Sequence, residues 1–335
     1  MVKLVNYELE SIPVPFRLSW GKLGYSRHVY VTVENEKGAK GRGEGVLYKT
    51  THLELLPYLE NRFTLDLERL AAFEPALAFA VDTAHLDLKG KILVVPPNPS
   101  VVREIFMEDQ DLEQSVKEIA TQHTSAIKLK VGAGVENDKK TLVQVHHLTK
   151  GKIKIHLDAN RAYNLKDALE LASFASARGV TLFEEPVSGG FPIVGEFKRA
   201  SNLPVMLDES IQSAADLESA IREKCFDILN IKLSRLGGIT LAQRYVQRCT
   251  QAGLRIYLGC SEELETGTRA IFTLAKSTKN LYAVEGLGFE RLAGREGFHY
   301  SLGEGSRRLF LLKEFSGLWA TRIENCLNYT LAKIR

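Results

Sequence analysis

Lys128-Leu129-Lys130, Leu157-Asp158-Ala159-Asn160, Phe183-Glu184-Glu185-Pro186, Leu207-Asp208-Glu209-Ser210 and Ile231-Lys232-Leu233 decide the fold. Each closes a run of apolar, often β-branched residues, and helix-like sequence follows each. They recur at roughly 25 residues, the length of one strand–helix unit with its loops. Strands repeated at that pitch predict a parallel barrel, and barrel enzymes keep their chemistry where the strands end. Two lysines and three acids are therefore expected to converge on one pocket.

Working outward, residues 126–131, 153–158, 181–184, 205–208, 228–232 and 255–258 read as strands, with 282–285 weaker. Helices are expected between them, as at 165–178, 214–224 and 241–252, with Gly179 and Gly253 just past helix ends. The count is seven clear strands, so a slightly incomplete or irregular barrel is expected. Residues 1 to about 95 differ. Three extended stretches there, 4–12, 29–34 and 41–46, predict an antiparallel meander, and helical patterns follow near 51–61 and 75–89. Leu309 to Leu312 reads as a strand too far along to join the barrel, so the chain is expected to return to its beginning.

Composition bounds the function. At 335 residues the chain suits one large and one smaller domain. A net charge of +3 without a dense basic run argues against nucleic acid as a partner. No apolar stretch suits a signal peptide or a membrane span. The cysteines, Cys225, Cys249, Cys260 and Cys326, contain no CxxC pair. Reduced thiols in a cytoplasmic protein, with no membrane partner, are the expectation.

Asp158, Glu184 and Asp208 close three consecutive predicted strands. A single acid at a strand end commonly caps the next helix. Three in succession suit a hard divalent cation such as Mg²⁺, since neighbouring strands lie roughly 5 Å apart. Glu185 and Glu209 are adjacent spares, because side chains alternate along a strand. Asn160 is placed to support the shell. Lys128 and Lys130 share one strand face, and the Lys128 charge is expected to lower the pKa of Lys130 towards that of a base. Lys232 approaches from the opposite side. A carboxylate substrate on a divalent ion, losing its α-proton to a lysine, fits this set. A metal-dependent aldolase or hydrolase barrel would supply histidine ligands or a lone Schiff-base lysine. His156 reads as support or core.

In this order, KLK, LDAN, FEEP, LDES and NIKL resemble the enolase superfamily, in its muconate-lactonising subgroup. The resemblance implies an α/β fold: a modified (β/α)₇β TIM-like barrel over about 96–299, an α+β capping domain over 1–95, and a C-terminal return over about 300–335. It implies Asp158, Glu184 and Asp208 as Mg²⁺ ligands (Mn²⁺ substituting), Lys130 as the base, and Lys232 opposite. Leu157 to Tyr163 and Leu264-Glu265-Thr266-Gly267 look like segments of o-succinylbenzoate synthases. Dehydration of a succinyl-hydroxycyclohexadiene carboxylate, in menaquinone synthesis, is therefore the first expectation. Dipeptide epimerisation or N-acylamino-acid racemisation is the alternative. Dipeptide epimerases usually carry an Asp-x-Asp for the substrate ammonium where this chain has Val284 to Gly288. Lys128, Asn160, Glu209, Arg27, Ser261, Glu263 and Gly288 are the candidate substrate-binding or supporting residues. Residues 13–25 are expected to close over the pocket as a lid. The partner is expected to be a small carboxylate, and a homo-oligomer stays open.

Overall fold

The computed structural model of the chain describes residues 2–13, 17–18, 21–22, 25–47, 50, 54–55, 59, 66–96, 99–105, 112–286 and 298–302. Two units are built from these residues. The first is an antiparallel sheet with strand order β14-β1-β4-β5. Its strands are β1 (Val2–Pro13), β4 (Tyr25–Asn35), β5 (Lys40–Leu47) and β14 (Phe298–Leu302), and a two-residue pair, β2 (Arg17–Leu18) and β3 (Gly21–Lys22), stands apart. β14 pairs with β1 from Tyr7–Leu302 to Ser11–Phe298. Residues 309–312, most of the expected lid and most of the expected helix at 51–61 lie outside the described residues. Helices α1 (Leu67–Phe73) and α2 (Pro75–Leu88) lie beside this sheet. Gly41, Gly43 and Gly45 face α2, where any Cβ would strike the carbonyl oxygens of Ala84, Ala80 and Ala76 in turn. Alternate glycines on the strand and alanines every fourth residue on the helix thus let two backbones touch.

The second unit is a closed barrel of eight parallel strands: β6 (Val101–Ile105), β7 (Thr124–Lys130), β8 (Lys154–Asp158), β9 (Val180–Glu184), β10 (Val205–Leu207), β11 (Ile228–Ile231), β12 (Arg255–Leu258) and β13 (Leu281–Val284). A parallel bridge from Val102 to Glu285 closes it, and the Gly286 N–H donates to Val102 at 2.7 Å. The expected seven strands are therefore one too few. β6 supplies the eighth, five residues long with Arg103-Glu104 interrupting its apolar run. Helices connect successive strands: α3 (Leu112–Ala120), α4 (Val135–Leu148), α5 (Leu165–Ser176), α6 (Phe191–Ala200), α7 (Ala214–Arg222), the short α8 (Leu233–Leu236) with α9 (Ile239–Gln251), and α10 (Glu265–Ser277). In α5, Asn164 accepts the Asp167 N–H as N-cap, and Ala168, Leu171, Ala172 and Ala175 bury one stripe.

The strand period of two places the site. Val102, Ala126, Leu182, Met206, Ile228 and Tyr257 form an apolar plug inside the barrel. Two residues further along the same strands stand Glu104, Lys128, Glu184, Asp208, Asn230 and Gly259. Outward-facing Ile127, Leu129, Leu157, Phe183, Leu207 and Ile231 join the larger core under the helices.

β5 fastens the sheet to the barrel. Glu44 accepts the N–H groups of Leu264 (2.6 Å) and Gly267 (2.8 Å), capping the start of α10. His28 bridges Glu44 (3.1 Å) to Ser26 (2.8 Å). The Val46 N–H donates to Ser234 Oγ at 3.0 Å, and Ser234 donates onward to Glu263 at 2.9 Å.

Candidate active site

The barrel mouth collects eight of the twelve residues that the sequence singled out. Lys130 reaches Asp158 Oδ2 at 2.6 Å and Asn160 Oδ1 at 3.2 Å. Lys128 is wholly buried and stands 3.3 Å from Glu184 Oε2 and 3.7 Å from Asp158 Oδ2. Lys232, the N-cap residue of α8, reaches Asp208 Oδ2 at 3.0 Å. Asn160 donates to Glu209 at 3.2 Å. Glu185 points elsewhere: it accepts the N–H groups of Asp208 and Ser210, both at 2.8 Å, and so shapes the turn after β10. Asn160, Arg161, Glu185 and Glu262 all hold positive φ, so backbone strain gathers at the strand ends.

Three participants were not anticipated. Glu104 on β6 lies 3.4 Å from Lys128 and 3.1 Å from Lys130. Glu285, just past β13, pairs with Lys128, and its other oxygen accepts the Cys260 N–H at 3.0 Å. Arg235 on α8 pairs with Asp208. Only the closed barrel brings β6 and β13 beside β7, so nothing local in the sequence marks these acids as neighbours of the lysines.

Of the other candidates, Glu263 is fully buried and braces its own loop, accepting from Ser234 Oγ and from the Ser261 N–H. Ser261 Oγ is buried without a hydrogen-bond partner among the described residues. Arg27 lies half-buried on β4, opposite Ser11 and Leu47. Gly288 lies outside the described residues. His156 faces the barrel interior against Tyr257, and burial and the Lys128 charge push it down to about 3, so it is a neutral core residue.

The electrostatics depart from expectation in one respect. Burial presses the Lys130 ammonium down, and Lys128 adds to that, but Asp158 and Glu104 outweigh both and hold it above the ordinary lysine value. Asp208 is also buried, yet Arg235 and Lys232 keep its carboxyl well below the usual range. Glu184 goes the other way: burial and the Asp158 charge raise it well above. Glu185 is pushed up to about 8 by burial and by Glu209. Each strand-end acid leans on a cation or amide. Among the described residues no group of three His, Cys, Asp or Glu side chains is gathered closely enough to hold a metal as it stands.

Residues 111–304 match the family described as enolase C-terminal domain-like. The chain belongs to the enolase superfamily. Among similar superfamily members, a hydrophobic dipeptide epimerase of Enterococcus faecalis is 27% identical over 79% of this chain and 84% of its own length. An N-succinyl-L-Arg/Lys racemase of Bacillus cereus is 25% identical over 81% and 82%. A solved structure of the dipeptide epimerase from E. faecalis, complexed with Mg and the dipeptide L-Leu-L-Tyr, superimposes with a TM-score of 0.75 at 25% identity, covering 84% of this chain and 90% of that one. These superfamily relatives carry the activities held above as the alternative, so the order of the two expectations reverses.

Proposed function

We propose that this chain is a divalent-cation-dependent racemase or epimerase that inverts the α-carbon of an N-substituted amino-acid carboxylate. The observation that carries this reading is the placement of Lys130 and Lys232. They end β7 and β11, with β8, β9 and β10 and their carboxylates between them, so they face a common centre from opposite walls. Inversion requires a proton-transferring lysine on each face, whereas dehydration would use Lys130 for both proton transfers and Lys232 only as a positive charge over the ring.

Asp158, Glu184 and Asp208 suit Mg²⁺, with Mn²⁺ as the expected substitute. Glu184 Oε2 is buried with the Lys128 ammonium 3.3 Å away, and the Asp158 and Asp208 charges crowd the same acid, a repulsion that a divalent cation would relieve. Such an ion would supply the charge that makes the proton α to a bound carboxylate removable. With the Asp158 charge shared by the ion, its hold on the Lys130 ammonium would weaken; the neutral Lys130 would then take that proton on one face and Lys232 would return one on the other, the roles reversing with the opposite enantiomer. Lys128, held by Glu285 and Glu104, would remain an ammonium and add positive charge beneath the carboxylate. Asn160 would steady Lys130.

The substrate class follows from Glu285. It lies in the Val284 to Gly288 segment, where dipeptide epimerases usually carry an ammonium-binding Asp-x-Asp, and it is spent on Lys128 and the Cys260 N–H. An N-acylated amino acid, which has no ammonium, is therefore favoured over a free dipeptide. The test incubates the protein and Mg²⁺ in D₂O with N-succinyl amino acids, L,L-dipeptides and the succinyl-hydroxycyclohexadiene carboxylate. Deuterium at the α-carbon and inversion of the N-succinyl substrates are expected, and both Lys130→Ala and Lys232→Ala should abolish inversion. Dehydration of the diene without α-exchange in any amino acid would overturn the reading in favour of the synthase.

A further inference from the structure

We propose that Glu104 is a positioning residue for Lys130, holding its ammonium from the β6 side at the angle from which it meets one enantiomer. The inference rests on the two-lysine reading above and extends it to a residue that no sequence motif marks.

Lys130 sits at the end of β7, between β6 and β8. On the β8 side its Nζ meets Asp158 Oδ2 at 2.6 Å and Asn160 Oδ1 at 3.2 Å. On the β6 side it meets Glu104 Oε1 at 3.1 Å, and the same oxygen lies 3.4 Å from Lys128 Nζ. The register pairs Glu104 with Lys128 directly, so the carboxylate leans one step up the barrel to reach Lys130. It is held against solvent, its side chain 8% exposed. A lysine has a flexible four-carbon stem, and its reactive geometry has to be imposed from outside. With acceptors on one side only, Lys130 would swing towards β8 and the strand-end acids. Asp158 is one of the acids assigned to the cation, and Glu104 is the carboxylate left outside that duty. Lys232 pairs with Asp208 and follows β11, three strands round the closed barrel from β6. The effect of losing Glu104 should therefore fall on one face of the substrate.

The test compares α-proton exchange in D₂O for each enantiomer of an N-succinyl amino acid, with Mg²⁺ present. Lys130→Ala and Lys232→Ala first establish which enantiomer depends on which lysine. Glu104→Ala should slow exchange of the Lys130-dependent enantiomer by about 10²-fold, the cost of a misplacement near 1 Å. Exchange of the other enantiomer should stay near wild type. Glu104→Gln keeps an acceptor without the charge and should fall between, at roughly tenfold. A merely structural loss would slow both enantiomers alike, and that result, or no change in either, overturns the proposal. Crystals of Glu104→Ala give a readout independent of turnover: Lys130 should leave its single rotamer, or turn wholly towards Asp158. A Lys130 that keeps its place overturns the proposal. Absence of exchange in the wild-type protein would instead count against the two-lysine reading, and the crystallographic arm would still decide Glu104. If Glu104→Ala does not fold, Glu104→Gln carries both arms.

Discussion

A methyl group added at Gly259 should separate the two lysines functionally. Gly259 follows β12, and its N–H donates to Ile231 at 2.9 Å, which locks it beside the end of β11. A Cβ there would stand 3.0 Å from both Cγ and Cε of Lys232, and closer still to Asn230 Oδ1. Carbon–carbon contacts are comfortable at about 3.5–4.0 Å, so the Lys232 stem must retreat by roughly 0.5–1 Å. Asn230 cannot yield freely, because its amide donates to Glu184 Oε1 at 2.7 Å. Gly259→Ala therefore pushes on Lys232 and on a proposed ligand acid together. Overpacking of this kind costs about 1–3 kcal/mol of stability, measurable in a urea titration. Displacement of a reacting nitrogen by up to 1 Å costs about 10²-fold in rate. Exchange of the Lys232-dependent enantiomer should fall by at least that factor, and exchange of the other enantiomer by less, through the shared push on Glu184 alone. Equal rates for both enantiomers and a wild-type unfolding midpoint would refute the idea that the bare backbone at 259 makes room for Lys232.

Asp208→Asn should remove most Mg²⁺-dependent exchange while the far-ultraviolet circular dichroism stays native, and isothermal titration should show weakened Mg²⁺ binding; activity persisting in excess chelator would contradict the ligand assignment. Glu44→Ala leaves two α10 amides and His28 without their acceptor, so a loss of about 2–4 kcal/mol is expected by chemical denaturation. Cys225 and Cys249 are buried, and burial pushes each thiol up to about 12. They should resist alkylation at pH 8 in the native protein and react on unfolding, as followed by peptide mass spectrometry. The folded thiols keep their protons from the ordinary value of 9.0 up to about 12 while the unfolded ones lose theirs, so this contribution to stability is complete below 9 and is lost as pH rises through that window. The alkaline loss should be smaller in Cys225→Ala.

Much of this was legible in the sequence because a strand end carries one functional residue in a fixed phase. Asp158, Glu184, Asp208 and the KxK pair each sit where an apolar run stops, and the period of two says which neighbour points inward. That reasoning separated Glu184 from Glu185, which turns to the β10 loop. It failed for β6, where Arg103-Glu104 breaks a five-residue strand behind the proline-rich stretch from Val95 to Pro99, leaving too short a pattern to detect. Missing β6 also hid Glu104, and with it the reason why Lys130 is not discharged by its lysine neighbour. Arg235 was hidden for another reason: it lies in a four-residue helix, too short to show a period of its own. Glu44 meets its helix 220 residues later in the chain, a pairing no local rule can find.

The two faces of β5 carry a consequence for recombination. One face is stripped to glycine so that α2 can lie against it; the other presents Glu44 and Val46 to α10 and α8, the helix that begins at Lys232. A single eight-residue strand is thus answerable to both halves of the molecule. A chimera that kept this barrel and took its cap from a relative would inherit a foreign strand between two neighbours fitted to this one. The halves should exchange between relatives only as matched pairs, with β5 counted as part of the barrel's inheritance.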